Sequence, residues 1–543
     1  MAAPPPARST AGEATQTASS ETARQTPPRC PQESWASSRG IHIARRLRRW
    51  LVVGYRILTR RRRCVPLFLL ALVGLDTSCS DQPTGAAGDR PGISSLAVTQ
   101  NPHNALSTVV SFAATHTDSV RVVYWADGEP PRATPYYRLR GDSARIATLG
   151  LRPNTSYSHL VEAVGSDTSV TSDTLRLATS DLPQPLQSVR LELTGVPAGG
   201  YVLTPIALFG ADTVAYAVAF DSSGEVRWYR AFAEGVPAGE LKQQPNGDFT
   251  IFLGLSQGWQ PTYGHYVEFT PGGEIVRSYV ASPPFYTDNH DLVLSVTGDA
   301  VDAVHLFGYE IRRADLSFKG GPADALVAGH VIVRQAVTGQ VDFLWNAWDH
   351  FVLADWIEPT GVNPPLDFDH PNSLDFDRDG NYVASFRHMG EITKIDRRTS
   401  EIIWRLGGRN NQFAIMNDPL GGFSAQHSVR VLDNGNLLLY DNGLRHSPLE
   451  SRAVEYRLDT DAKTATMVWQ YRRVPPVFTP FLGSVQRYQN GNTLIAFSTA
   501  NLIVEVDPSG NPLWEGVLNL DGQSNVIIFK ALKVPSLYRY ERP

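Results

Sequence analysis

The chain has 543 residues, 42% of them hydrophobic, and a formal net charge of −5. This length allows two or three domains, and a mean hydropathy of −0.21 is typical of a globular protein. The first 63 residues hold thirteen Arg and three Glu, about +10, so the rest carries about −15. An acidic body argues against nucleic acid as a partner, because phosphate binding needs a basic face.

The N-terminal region has the composition of a targeting segment. Residues 1–58 are rich in Pro, Ser, Thr and Arg, which predicts disorder. Residues 59–79 contain four Arg and then an apolar run, which predicts a secretory signal too short to span a bilayer. Cys79 resembles a bacterial lipoprotein cleavage site, although Asp76 stands where Leu is usual. A lipid anchor at Cys79, simple cleavage and a retained anchor stay open, and all three predict an exported protein, periplasmic or anchored in the cell envelope.

Cysteine is confined to the N-terminal part of the chain, at Cys30, Cys64 and Cys79. The remaining chain therefore has neither disulfides nor thiolate metal sites.

Residues 92–180 alternate in short β-like runs separated by turn residues, which predicts a small sandwich. The stretch from Leu151 to Tyr157 resembles the tyrosine corner of fibronectin type III domains, in which the Tyr hydroxyl bonds back to the chain. An ordinary strand with a buried Tyr is the alternative. A proline-containing linker, 181–185, follows.

Beyond Pro185 a β unit recurs, and six copies of its second half are recognisable. Most copies close on a tryptophan: Trp228, Trp345, Trp404, Trp469 or Trp514. The first half recurs five times with a turn glycine, at Gly247, Gly298, Gly380, Gly435 and Gly491. Four strands per unit and no long helical period predict a six-bladed β-propeller over 186–540. A sandwich or a solenoid is the competing all-β interpretation.

The position eight residues before each turn glycine forms one ring around the propeller channel. Its occupants are Gly239, His290, Asn372, His427 and Gly483. We expect His290, Asn372 and His427 to begin the innermost strands of successive blades. His370 lies two residues before Asn372, hence on the same face of an extended strand, and Arg387 ends the following strand. The repeat register therefore predicts that three His and one Arg converge at one mouth of the channel.

Three His and one Arg favour an anion over a metal ion. Zinc is disfavoured because no pair has the spacing of common zinc motifs and Arg387 would repel a dication. Arg forks onto phosphate or sulfate oxygens, and a His can be a nucleophile toward phosphoryl or sulfuryl groups. The alternative is that each of these His is structural. By default we assign a structural role to His265, His305, His330, His350, His388 and His446.

Taken together, the sandwich, the propeller, the HPNS motif with SFR following, QHS before an Asn-Gly hairpin, and His290-Asp291 resemble the bacterial arylsulfate sulfotransferase family. The resemblance covers roughly 94–538. It implies sulfuryl transfer between phenols without a sulfated nucleotide, with His427 as nucleophile and His290, His370 and Arg387 binding the sulfuryl group. One departure is that the loop before His427, which carries a disulfide in many members, has no Cys here.

The predicted protein is therefore an all-β enzyme, a six-bladed propeller preceded by a fibronectin type III-like sandwich. We expect an aryl sulfate donor and a phenolic acceptor, a homodimer, and neither metal nor cofactor. Asn372, Trp356 and Phe423 are candidate substrate contacts, the two aromatic rings because they lie in long loops before His370 and His427. A noncatalytic propeller that binds an anionic ligand or a surface partner is the alternative. A quinoprotein dehydrogenase is a third interpretation, although such proteins have eight blades.

Overall fold

The computed structural model describes residues 90–208, 214–232, 238–255, 263–357, 364–520 and 528–538. The predicted disordered segment 1–58, the signal segment 59–79 and the lipid site at Cys79 lie outside the described residues. Within the described ranges, no helix has both the length and the apolar composition needed to cross a membrane.

Nine strands come first, and they form two sheets. They are β1 (Gly92–Gln100), β2 (Thr108–Thr115), β3 (Ser119–Ala126), β4 (Arg132–Ala133), β5 (Tyr137–Arg138), β6 (Ser143–Thr148), β7 (Ser156–Val164), β8 (Ser169–Thr171) and β9 (Leu175–Ala178). One sheet has the order β1-β2-β6; in the other, β3 and β7 pair centrally and carry β4, β5, β8 and β9. A shared apolar core joins them, with Val110 from the first sheet and Val122 and Val161 from the second. The hydroxyl of Tyr157 accepts a hydrogen bond from the Arg152 amide at 3.1 Å, the backward bond that the sequence predicted. A fibronectin type III relationship stays a prediction.

Six four-stranded sheets follow as propeller blades. After β10 (Val189–Gly195), the strands of the first blade are β11 (Tyr201–Leu208), β12 (Val214–Phe220) and β13 (Val226–Phe232); those of the second are β14 (Ala238–Gln243), β15 (Phe249–Leu255), β16 (Tyr263–Phe269) and β17 (Ile275–Tyr279). The third blade has β18 (Tyr286–Thr297), β19 (Ala300–Ala314), β20 (Ala325–Gln335) and β21 (Val341–Asn346), with β22 (Leu366–Asp367) parallel to β20. The fourth has β23 (Pro371–Phe376), β24 (Tyr382–Phe386), β25 (Glu391–Ile395) and β26 (Ile402–Gly407).

The last two blades complete the ring. The fifth contains β28 (His427–Val431), β29 (Leu437–Asp441), β30 (Arg452–Asp459) and β31 (Thr464–Tyr471), preceded by β27 (Ala414–Met416), which runs parallel to β31. The sixth contains β32 (Ser484–Arg487), β33 (Thr493–Phe497), β34 (Leu502–Val506) and β35 (Pro512–Leu520). The final strand, β36 (Leu532–Val534), pairs with β11 as the innermost strand of the first blade, and β10 adds to the outer edge of β35. The first strand of the propeller sequence thus joins the last blade, and the final strand joins the first blade. Hydrogen bonds between strands, without a covalent link, therefore close the ring of blades.

Helices are few and short among the described residues. They are α1 (Ala347–His350) and four 3-10 turns, at Gln184–Leu186, Ser317–Lys319, Leu353–Asp355 and Ser498–Ala500. The repeated tryptophans fill the space between blades instead. Trp345 on β21, for example, packs on Phe386 of the next blade with ring centroids 5.3 Å apart. The repeat in the sequence thus records interblade packing, and the six-bladed all-β fold that it predicted is confirmed.

Candidate functional site

Three innermost strands carry a β-bulge at the residues that the glycine register selects. Pairing of β18 with β19 is interrupted around His290, pairing of β23 with β24 at Asn372, and pairing of β28 with β29 directly after His427. A bulge leaves a residue unpaired and re-aims its side chain. His290, Asn372 and His427 consequently line one pocket. His290 differs from the prediction in one respect, since β18 begins earlier, at Tyr286.

Backbone strain accompanies these bulges. His370, Ala425 and Ser428 have φ values of 47°, 52° and 54°, in the left-handed region that non-glycine residues rarely adopt. Each such residue costs about 1 kcal/mol or more and persists only where its surroundings enforce it. The stretch around His427 is therefore held in a conformation that the chain would not choose locally.

The ring of His427 is oriented by an amide that is itself fixed. The side-chain nitrogen of Asn442 donates to the carbonyl oxygens of Thr479 and Leu482, at 2.8 and 2.9 Å. This leaves Asn442 Oδ1 as an acceptor, 2.7 Å from Nδ1 of His427. Nδ1 is also 3.1 Å from the Ala425 carbonyl, a second acceptor. Two acceptors at Nδ1 require a proton there, so in the neutral ring Nε2 carries the lone pair.

Electrostatics favour the neutral ring of His427. Burial, and then the charge of Arg387, hold the pKa of His427 well below its usual value, against the opposing effect of the bond to Asn442. The side chain of His427 is only 5% exposed, so little water reaches it. An unprotonated, oriented imidazole in a pocket is what nucleophilic attack requires.

The other two histidines of the predicted set each rest on a carboxylate. Nδ1 of His290 lies 2.9 Å from Asp288, and Nδ1 of His370 lies 2.5 Å from Asp367. The two imidazole rings are 4.5 Å apart between centroids. Burial, followed by the neighbouring His290 and Arg387, keeps the pKa of His370 well below its usual value. In each of these rings Nδ1 therefore serves a carboxylate.

Arg387 and Asn372 tie the site together. The backbone N–H of Arg387 donates to the His370 carbonyl at 2.9 Å, and its guanidinium donates to the Pro480 carbonyl at 3.2 Å. The Asn372 amide donates to the carbonyl of Gln426 at 2.7 Å, directly before His427. Of the five predicted residues, the register positions His290, Asn372 and His427 line the pocket, His370 adjoins His290, and Arg387 adjoins His370.

A second set of charged side chains lines the same pocket and was not predicted. Lys530 donates to both carboxylate oxygens of Glu240, at 2.8 and 2.9 Å. Burial lowers the pKa of Lys530 to about 8 although Glu240 opposes this. Arg430, also in the pocket lining, lies 3.4 Å from Asp291, which also accepts from Lys242. These ion pairs make the pocket polar on more than one side.

The two aromatic residues proposed as substrate contacts lie elsewhere. Trp356 is 3% exposed and packs in the apolar core between the third and fourth blades. Phe423 is partly buried against the apolar core between the fourth and fifth blades, with its ring centroid 6.1 Å from that of Tyr456. Neither lines the pocket, because a large apolar ring on a loop is more stable when it caps a blade than when it faces a charged channel.

Four further residues that orient the site were also missed. Asp288, Asp367, Asp369 and Asn442 contact histidines but lie outside the glycine register. For the three Asp residues the signal in the sequence is an acidic residue one to three positions before a selected His, in the stretches DNH and DFDH; Asn442 has no such signal. Sequence spacing of this kind is frequent by chance, so it identifies a carboxylate–His pair only once the His is known to be in the site.

Two groups of side chains have the composition of a metal site. Asp367, His370 and His388 form one, and His330, Asp367 and Asp369 form the other, each with ligand atoms within 4.8 Å of one another. Hydrogen bonds within the groups, at 2.5 Å for Asp367 with His370 and 2.7 Å for Asp369 with His330, account for these short separations. The donor atoms therefore serve each other, as expected for carboxylate–His pairs.

Comparisons with known proteins point to one family. The family model described as Arylsulfotransferase (ASST) matches residues 166–516, more than half of the chain. An arylsulfate sulfotransferase AssT from Lelliottia amnigena is 22% identical over 364 residues, and one from Escherichia coli O6:H1 is 21% identical over 361. These matches cover 54% and 53% of this chain but only 59% and 58% of the relatives. A protein of unknown function from Bacteroides caccae aligns at 12% identity and a TM-score of 0.39, over 62% of this chain and 100% of its own.

Proposed function

Because the chain belongs to the arylsulfotransferase (ASST) family, we propose that it moves a sulfuryl group from a phenolic sulfate ester to a phenolic acceptor. The transfer proceeds in two steps through a sulfohistidine at His427, without a sulfated nucleotide. His290, His370, Asn372 and Arg387 contact the sulfuryl oxygens or the leaving oxygen.

In the first step Nε2 of His427 attacks sulfur. The N–S bond forms while the bond from sulfur to the aryl oxygen breaks, and the electron pair leaves with that oxygen. Arg387 offers N–H donors to the sulfuryl oxygens, where negative charge is distributed in the transition state. His290, supported by Asp288, gives its proton to the departing phenolate.

In the second step the sulfuryl group leaves His427 for the acceptor, and His290 takes up a proton where it had given one. The acceptor phenol loses its proton to His290, and its oxygen attacks sulfur as the N–S bond breaks. The pair of electrons returns to Nε2, so His427 is again neutral. Nδ1 keeps its proton throughout, because Asn442 accepts from it in every state.

One observation carries this proposal, namely the fixed orientation of His427. An amide whose nitrogen is already committed presents only its oxygen to Nδ1. A nucleophilic histidine needs one tautomer held in place, and His427 is held in the tautomer whose Nε2 carries the lone pair.

Release and transfer from a chromogenic donor test the proposal. The purified protein is mixed with 4-nitrophenyl sulfate, with and without phenol, and nitrophenolate and phenyl sulfate are followed. Phenol-dependent release with phenyl sulfate formed in equal amount is expected. A protein that only binds anions would produce neither, and a hydrolase would release nitrophenolate without forming phenyl sulfate.

Asn442→Leu tests the orientation of the nucleophile. The change removes the acceptor at Nδ1 and leaves a buried donor short of a partner, which costs about 1–3 kcal/mol. We expect kcat/KM to fall by about 10- to 100-fold while KM changes little. Asn436→Leu is the matched control, because Asn436 lies in a hairpin turn of the same blade, away from the pocket, and its side-chain nitrogen donates to Glu455. An equal loss in both variants would contradict an orienting role.

The cellular location is proposed on the basic and apolar segments before Cys79. Residues 1–85 fused to a reporter that is active only outside the cytoplasm are expected to give signal. A fusion protein that accumulates in the cell without reporter activity would contradict export, and retention by membranes that is lost in Cys79→Ala would support the lipid anchor.

A further inference from the structure

A buried histidine on the third blade contacts the carboxylates that lie behind the site. His330, on β20, is 4% exposed. Its Nδ1 is 2.7 Å from Asp369, and its Nε2 is 3.5 Å from Asp288. Asp367 is a third carboxylate, at 3.8 Å. One imidazole thus lies among three acidic side chains.

Two of these carboxylates support residues of the pocket. Asp288 lies 2.9 Å from Nδ1 of His290 and also accepts from its backbone N–H. Asp367 supports His370 in the same way, with its other oxygen accepting from the backbone N–H of His370 at 3.0 Å. A single carboxylate, Asp288 or Asp367, therefore links His330 to each of these two rings.

The charged form of His330 is the one that this environment requires. Only the imidazolium has a donor on both nitrogens, and here both face carboxylate oxygens. Although burial opposes it, Asp369, Asp367 and Asp288 raise the pKa of His330 well above its usual value. Against its own burial, the pKa of Asp288 is correspondingly held far below the usual range by His290 and His330. The Tyr309 ring, 5.8 Å away, and His370 complete the surroundings.

We propose that His330 is a positioning residue, a buried imidazolium that keeps Asp288 charged and correctly placed so that His290 can exchange a proton with the phenolic oxygen. The proposal rests on the function proposed above for the pocket. It assigns a part in proton transfer to a side chain that touches no substrate.

His305 offers a matched control in the same blade. It is fully buried on β19, and its nitrogens contact only hydroxyls, those of Tyr382 at 2.7 Å and Ser295 at 2.8 Å. Gln in place of either histidine keeps hydrogen-bonding capacity and removes the ring. His330→Gln should cost more stability than His305→Gln, because it leaves buried carboxylates without their cation. Activity is therefore compared on the folded fraction of each variant, and only His330→Gln removes a cation that faces Asp288.

Transfer activity as a function of pH distinguishes the two variants. In His330→Gln, kcat is expected to fall by about 10- to 100-fold, the usual effect of losing a residue that orients a functional side chain. KM should change much less. Because a cation that faces Asp288 is lost, the basic limb of the rate profile should move to higher pH by about one pH unit. His305→Gln should keep the wild-type profile.

A titration without substrate tests the inference independently of activity. Ring ¹³C NMR of selectively labelled protein, assigned with His290→Asn and His330→Gln, gives the protonation of each imidazole. His330 should stay protonated through neutral pH, and the ring signals of His290 should shift in His330→Gln. A neutral His330 at pH 7, or unmoved ring signals of His290, overturns the inference. If these shifts appear but the wild type transfers no sulfuryl group, the proposed function fails and the inferred linkage stands.

Discussion

Replacing His427 by Asn is expected to reduce sulfuryl transfer to background while the protein still folds and binds aryl sulfate. Asn has similar polarity but no ring nitrogen that can hold a sulfuryl group, so the two-step route is closed. Removal of a covalent nucleophile commonly costs a factor of about 10⁶ in kcat. Binding should survive, because His290, His370 and Arg387 remain and contact the sulfuryl oxygens in the proposed complex.

The covalent intermediate provides the direct measurement. Wild-type protein incubated with donor alone and quenched at high pH should carry one sulfuryl group on the peptide that contains His427. His265→Asn, on the third strand of the second blade, is the control, and it should form the adduct at the wild-type level. Substantial turnover by His427→Asn, or an adduct on His290 or His370, would contradict the assignment of the nucleophile.

The pH dependence of this step follows from the pKa of His427. Burial and Arg387 lower it, so the neutral ring predominates well below pH 6.5. We expect the acid limb of kcat/KM to lie below that of an ordinary histidine. Since the cause is in the folded protein, the same lowered pKa means that protonation of His427 destabilises the fold as the pH falls below 6.5.

The blade count could be predicted from the sequence because the turn glycines and the tryptophans repeat. Gly247, Gly380 and Gly435 have positive φ, so the hairpin they close requires glycine in every copy. The register then identified His290, Asn372 and His427, because one strand position per blade faces the channel. A backbone or packing requirement that recurs from blade to blade therefore appears as the same residue type at the same position of successive repeats.

The closure of the ring could not be predicted in this way. The innermost strand of the first blade, Leu532–Val534, is separated from its partner strand by almost the whole propeller. It carries no turn glycine of its own, and Lys530, two residues before it, reaches the pocket only through that pairing. The ionic side of the pocket was missed for this reason.

Residues that influence the site only through other side chains leave an even weaker signal in the sequence. His330 on β20 lies on the third strand of its blade, a position that packing usually fills with apolar residues, and Asn442 follows β29 in a loop. Their roles depend on which atoms face them in space. Trp356 and Phe423 show the converse, since a loop position suggested exposure but Trp356 lies in an apolar core and Phe423 is partly buried against another.

Arg387→Lys is expected to lower kcat/KM. The loss corresponds to about 2–4 kcal/mol of transition-state stabilisation, which is the effect of losing one oxyanion donor. Lys keeps the charge but replaces a planar fork by a single point of donation, so two parallel hydrogen bonds to sulfuryl oxygens cannot form. Charge and geometry can be separated here. Because Lys is still cationic, the pKa of His427 should stay low and the acid limb of the rate profile should not move.

Arg387→Met removes the charge as well, and the direction of its additional effect is fixed. Without the cation the pKa of His427 rises, the neutral fraction at acidic pH falls, and the acid limb should move to higher pH. Arg405→Lys is the control in the same blade, because Arg405 pairs with Glu391 at 2.6 Å, where a guanidinium supports the fold. It should cost stability without changing kcat/KM of the folded protein. A change of less than threefold in kcat/KM for Arg387→Lys would show that Arg387 is not a ligand of the sulfuryl group. A shift of the acid limb in Arg387→Lys would show that the position of the charge, and not charge alone, sets the protonation of His427.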